Sequence, residues 1–221
     1  MSARKDADPP TGEQWRRAVV AHYETRLREF GPTARGMDWK DEASQTLRFR
    51  MLCTGFDLAG RRILEVGAGV GHLYDHLRAR GIDADYTGLD ASAEMVSAAR
   101  ARHPGVRFEC GDLAGGTTDG DETWDVVLCS GVFHVKLDAP EAEWEAFVIG
   151  MLRAMYAHCR EGIGFNLMSD QVDYRSADLF YANPARILDF CRDELSRYVT
   201  LRHDYPLYEF TVHVHRSPRS E

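Results

Sequence analysis

The chain has 221 residues, 44% of them hydrophobic, and a formal net charge of −8, enough apolar material for one α/β domain with a real core. An acidic chain raises no positive field to gather phosphates, which argues against DNA or RNA as substrate. Five cysteines (Cys53, Cys110, Cys129, Cys159, Cys191), odd in number and never spaced C-x-x-C, fit small core thiols in a reducing cytosol better than disulfides or zinc; no apolar run has signal-peptide or membrane-spanning length, so a cytoplasmic location is expected.

Residues 1–12 are polar and proline-bearing and read as a disordered tail. Residues 13–30 are helical in pattern up to Gly31-Pro32, and a second helix is expected over 41–56. From residue 61 the chain alternates. A strand at 63–66 leads to a helix at 71–80 ended by Gly81. A strand at 84–90 and a helix at 92–102 follow, closed by His103-Pro104-Gly105. Strands at 106–110 and 124–130 flank a Gly-, Thr- and Asp-rich surface loop at 115–122. Then come a helix at 143–159, a strand at 163–168, an irregular stretch at 169–181 and a short helix opening after Asn183-Pro184. Two strands, 197–204 and 207–215, end the pattern around a Tyr205-Pro206 turn, a connection so short that it forces an antiparallel hairpin. The β-α-β-α order predicts an α/β fold, a mostly parallel sheet with helices on both faces. The core domain is expected over 59–216, with residues 13–58 outside the sheet.

The sharpest local signal is Leu64-Glu65-Val66-Gly67-Ala68-Gly69-Val70-Gly71, a strand running into a glycine turn that lets a ligand lie against bare backbone. The spacing G-x-G-x-G differs from the G-x-G-x-x-G of dinucleotide sites, which argues against NAD. Asp90 ends the second strand, where a carboxylate can bind both hydroxyls of a ribose; its alternative use is capping the helix near Ser92. Gly111-Asp112-Leu113 follows the third strand, where an acid can accept from an adenine amino group and the next N–H can reach a ring nitrogen; the alternative is an ordinary Asp turn. Glu65, Asp90 and Asp112 thus stand at the ends of three successive strands, facing the crevice where α/β proteins bind ligands.

In that order and spacing, E65-x-G-x-G-x-G71, Asp90, G111-D112 and the strand Trp124 to Ser130 resemble the successive motifs of class I S-adenosylmethionine-dependent methyltransferases over residues 61–159. The resemblance implies a Rossmann-like sheet of seven strands with a C-terminal antiparallel hairpin and an N-terminal helical lid over the site. It also implies S-adenosylmethionine as cofactor: Glu65, Gly67, Gly69 and Gly71 hold its methionine part, Asp90 the ribose, Asp112 with Gly111 and Leu113 the adenine, and Ser130 borders it. More loosely, segments 31–49 and 172–205 resemble a bacterial group of small methyltransferases whose acceptors are undefined.

Methyl transfer from a sulfonium is an in-line displacement in which the protein mainly holds two partners in line and excludes water. A base is needed only when the acceptor must lose a proton. Ser130-Gly131-Val132-Phe133-His134 lacks the N-P-P-[YF] type of sequence used on planar amino groups. His134 is one candidate base, with packing as its alternative. His203 and Asp204 in the hairpin turn are two more, and Tyr205 and Tyr208 candidate acceptor contacts; hairpin stabilisation is the competing role. Asn166 and Tyr174, with Asp170 and Asp173, follow the fifth strand at the same edge. In the lid, Tyr23, Trp39 and Arg48 are candidate acceptor contacts, with Gln45 beside them; helix packing for Tyr23 and Trp39 and solvated surface for Arg48 are the competing readings. His213 and His215 share a strand face but lack a third ligand, so no metal is expected. The leading reading is methylation of a small-molecule acceptor, without nucleic acid or membrane partners. The alternatives are a cyclisation or rearrangement on the same cofactor site, and a non-catalytic S-adenosylmethionine-binding regulator.

Overall fold

Strands β1 (Arg62–Val66), β2 (Asp85–Asp90), β3 (Arg107–Cys110), β4 (Trp124–Cys129), β5 (Cys159–Met168), β6 (Tyr198–Arg202) and β7 (Glu209–His215) form one sheet in the order β3-β2-β1-β4-β5-β7-β6. β1 to β5 run parallel, and β7 lies antiparallel between β5 and β6. The computed structural model describes residues 12–116 and 122–218. The expected tail, apart from Gly12, and residues 117–121 of the expected loop lie outside the described residues.

Helices α1 (Gly12–Phe30), α2 (Glu42–Cys53), α3 (His72–Ala79), α4 (Ala93–Arg102), α5 (Glu141–Ala157) and α6 (Pro184–Phe190) cover the sheet. Side chains alternate along each strand, so the two faces of β1 and β4 feed different cores. Leu64, Val66, Val127 and Cys129 pack with Trp144, Val148 and Leu152 of α5. Ile63, Val126 and Leu128 pack with Phe49 and Leu52 of α2, Leu73 and Leu77 of α3, and Val96 of α4. Such two-sided burial makes the central strands continuously apolar.

Three expectations change. The helix expected to reach residue 159 stops at Ala157, and β5 begins at Cys159 rather than 163. Its first residues are held by Arg160 Nε donating to Thr123 Oγ1 at 2.9 Å and by the Glu161 ion pair with Arg61 at 3.0 Å. Cys110 is exposed, not core, because it lies at the end of β3, an edge strand of the sheet. The expected lid over 13–58 divides: α2 is a core helix against the sheet, with Leu52 fully buried, while α1 with the 3₁₀ turn Arg35–Met37 leans over the carboxyl edge. α2 is capped by Asp41, whose carboxylate accepts from Ser44 N–H at 2.7 Å and satisfies one of the free donors of its first turn.

Candidate active site

The loop after β1 turns on Gly67, Gly69 and Gly71, with φ of 73°, 53° and 84°. A Cβ on Gly67 would lie 2.0 Å from Val132 Cγ2, and one on Gly69 2.9 Å from Met37 Sδ. Both glycines are thus required by packing, and both line a cavity of about 210 Å³. Gly71 serves differently: it caps α3 in the left-handed conformation, against His103 and Phe108.

Glu65, 3% exposed, borders the cavity and accepts a hydrogen bond from the Tyr86 hydroxyl. Burial pushes its carboxyl up to about 8, with the charge of Asp90 adding to the shift and the Tyr86 bond opposing it. Asp90 accepts from Gly69 N–H at 2.8 Å on one oxygen and from Ser92 N–H at 2.9 Å on the other. Burial raises its pKa against both of these bonds. The helix cap is Ser92, which accepts from Met95 N–H at 3.2 Å, so Asp90 is not consumed by capping. One oxygen of Asp112 makes an Asx turn to Ala114 N–H at 3.0 Å, while the other lies 3.6 Å from Arg16 Nη1. Gly111, Leu113 and Ser130 complete this side.

The opposite wall is aromatic. Trp15, Val19 and Tyr23 recur every fourth residue on one face of α1, and Trp144 and Phe147 of α5 meet them. Trp15 Nε1 donates to Glu143 Oε2 at 3.0 Å, and its ring lies 5.1 Å from that of Trp144. The other end of α1 is tied by Ser92 Oγ donating to Glu24 Oε1 at 2.8 Å and by Arg28 on Glu94. Tyr23 lines the cavity, its phenol pushed far up by burial. Trp39 and Gln45 also line the cavity; Gln45 shares a 3.0 Å hydrogen bond with His72 Nδ1. The signal for Trp15 was its four-residue spacing from Val19 and Tyr23, legible as a helix face but not as a ligand wall.

Other expected residues lie elsewhere. Arg48 is buried against Glu209, not solvated, and His134 stands behind the Trp39 indole. Asn166 is fully buried: it accepts from Gly131 N–H at 3.0 Å and donates to Ser130 Oγ at 3.3 Å, positioning the turn after β4 instead of reaching the cavity. Tyr205 bonds Thr211 at 2.9 Å inside its own hairpin. His203 and Asp204 are exposed; Asp204 pairs with Arg202 at 2.9 Å, which lowers its pKa and its basicity. Tyr174 is exposed, and Tyr208 donates to Asp173 on the surface. The hairpin turn does reach the expected edge, but its polar side chains find partners there and do not line the cavity. His213 is buried, with Nε2 3.0 Å from Leu52 O, and His215 packs on Phe56. Among the described residues no group of three potential ligands could hold a metal ion.

A methyltransferase-domain family model matches residues 63–162. Rv1506c of Mycobacterium tuberculosis, which bears the name of a methyltransferase, is 38% identical over 157 residues, 70% of this chain and 93% of that protein. Trans-aconitate 2-methyltransferase of Rhizobium meliloti is 37% identical over 79 residues, a match of 36% of this chain and 30% of the enzyme. Among solved structures, 1,6-didemethyltoxoflavin-N1-methyltransferase of Burkholderia thailandensis, with S-adenosylhomocysteine bound, superposes with a TM-score of 0.67 at 17% identity, covering 96% of this chain and 93% of that one. Magnesium protoporphyrin IX methyltransferase of Synechocystis, with S-adenosylmethionine bound, gives 0.54 at 16%, covering 96% and 87%. The chain belongs to the class I S-adenosylmethionine-dependent methyltransferases. The cradle fits that cofactor, since the backbone of Gly67 and Gly69 and three buried or half-buried acids, Glu65, Asp90 and Asp112, line one cavity. No helix among the described residues is long and apolar enough to cross a membrane.

Proposed function

We propose that the enzyme methylates a compact small-molecule acceptor by in-line displacement. The observation that carries this reading is that the glycine-and-acid cradle and an aromatic wall share one cavity, roofed by α1. When bound, the cofactor supplies an electrophilic methyl group on a sulfonium. Gly67 and Gly69 would take its methionine part, with Glu65 beside it. Asp90 would hold the ribose and Asp112 the adenine amino group, with Leu113 against the ring. Trp15, Val19 and Tyr23 exclude water, so that α1, rather than the whole of 13–58, is the lid over the 59–216 domain. Structural relatives named for small-molecule acceptors support a small acceptor here.

Calorimetric titration with S-adenosylmethionine and, separately, NADH tests the cofactor site. Micromolar S-adenosylmethionine binding is expected, weakened about tenfold or more in Asp90→Ala by loss of charge-assisted hydrogen bonds; NADH is expected not to bind. Product mass then tests the reaction. S-adenosylhomocysteine with a methylated product supports transfer, whereas a rearranged product with the cofactor unconsumed indicates a cyclase. Binding without turnover across acceptor panels indicates a regulator.

A further inference from the structure

The Trp39 indole faces the cavity on one side and a buried charged cluster on the other. The Arg48 guanidinium lies 4.2 Å from its ring centroid, and His134 stands edge-on at 5.7 Å. Arg48 donates from Nε to both oxygens of Glu209, at 3.0 and 2.9 Å, and from Nη2 to one of them. His134 Nε2 is 3.8 Å from the same carboxylate. Arg48, Glu209 and His134 are 9%, 3% and 5% exposed. Two of their nitrogens, Arg48 Nη1 and His134 Nε2, are buried without a hydrogen-bond partner. Buried polar atoms are normally paired, so two orphans in one cluster mark a place for a guest.

Charge selects that guest. Arg48 and Glu209 cancel, and burial lowers the basicity of His134 and keeps it neutral. A permanently anionic guest would leave an uncompensated buried charge, and a cationic one would add to Arg48. A neutral hydroxyl with an acidic proton suits both orphans: its oxygen accepts from Arg48 Nη1–H, and its proton passes to the lone pair of Nε2 in the Nδ1–H tautomer of His134. The cluster then holds two cations and two anions.

Building on the methyltransferase reading above, we propose that this cluster is the acceptor subsite and that the acceptor is a phenol or enol, deprotonated by His134 with Trp39 as the door. The O–H bond breaks toward Nε2, the O–CH₃ bond forms, the S–CH₃ bond breaks, and S-adenosylhomocysteine leaves as a neutral thioether; the imidazolium returns its proton to water. The charged groups facing His134 are Glu209 of β7 and Arg48 of α2, with the Tyr205 phenol beyond Glu209 in the hairpin turn. Trp39 is half-buried on the short segment before α2 and rests on Gly131, where a Cβ would lie 2.5 Å from the indole. The indole must turn away for an acceptor to pass.

The probe is 4-nitrophenol, added to the S-adenosylhomocysteine complex in buffer acidic enough to keep the free probe protonated. Bound probe is expected to show its phenolate absorption band. His134→Gln is expected to abolish the band, and Arg48→Lys, which keeps the charge but loses Nη1 along with the fork on Glu209, to weaken binding about tenfold. Both variants should retain wild-type affinity for S-adenosylhomocysteine, which shows that they fold. Trp39→Ala should speed association in stopped flow. No binding, binding of the neutral phenol, or a phenolate band that survives His134→Gln would overturn the proposal. Failure of S-adenosylhomocysteine itself to bind would instead overturn the methyltransferase reading.

Discussion

At the scale of single residues, the cradle depends on what is missing from Gly67 and on a proton held by Glu65. Gly67→Ala combines a positive φ with a Cβ 2.0 Å from Val132 Cγ2; strain and overpacking of this kind cost about 1–3 kcal/mol. The expected outcome is a lower melting temperature together with weakened S-adenosylmethionine binding, read by calorimetry. Glu65, with its pKa raised to about 8, keeps in the folded protein a proton that the unfolded chain has already released. Its contribution to stability therefore falls as pH climbs from the ordinary carboxylate range toward 8. Glu65→Gln should flatten that part of the stability profile in denaturant titrations between pH 5 and 8. A wild-type profile already flat there would show Glu65 to be ionised throughout. The acids were legible because strand ends are legible and each stands at one. Arg48 was legible as a lid candidate but not as half of a buried ion pair, since its partner Glu209 lies 161 residues away and nothing local points to it.

At the scale of elements, α1 is attached to the domain at a few points, and Trp15 is the largest of them. Replacing a buried tryptophan by alanine typically costs about 3–5 kcal/mol. Here the loss falls on the docking of one helix rather than on the sheet. Trp15→Ala should raise hydrogen exchange over 12–30 while exchange in β1, β4 and β5 stays slow, and should weaken cofactor binding. Uniform loss of protection would show α1 to be part of the cooperative core. The helix itself was readable from its spacing and from the Gly31-Pro32 stop. The beginning of β5 was not, because only His158 separates it from α5 and no glycine or proline marks the change. The hairpin's pairing followed from its short turn, but which strand meets β5 did not. The answer lies in burial: β7 is buried at every position, as a strand between two others must be, and β6 at none.

For the whole molecule, strand order places the chemistry. From β1 the chain builds outward through β2 and β3, then crosses to the other side for β4 and β5, leaving a crevice at the carboxyl edge where the order reverses. A ligand bound there braces both halves of the sheet. S-adenosylhomocysteine at a hundredfold excess over its Kd should add about 2.7 kcal/mol of stability and raise the melting temperature by roughly 5–10 °C for a chain of this size. No shift at saturation would show that the unfolded chain binds as well as the folded one, or that the site is not formed.

The ion pair between Arg48 and Glu209 also dictates an order of assembly. Every acid and glycine of the cradle lies between residues 65 and 112, so that half of the site can close over short stretches of chain. The charged cluster behind Trp39 needs a residue of α2 to meet one of β7, 161 residues further along the chain. In refolding, contacts so far apart in sequence form late, so the cradle should close before the cluster that faces the acceptor side of Trp39, and slow docking of β7 would lengthen the interval between them.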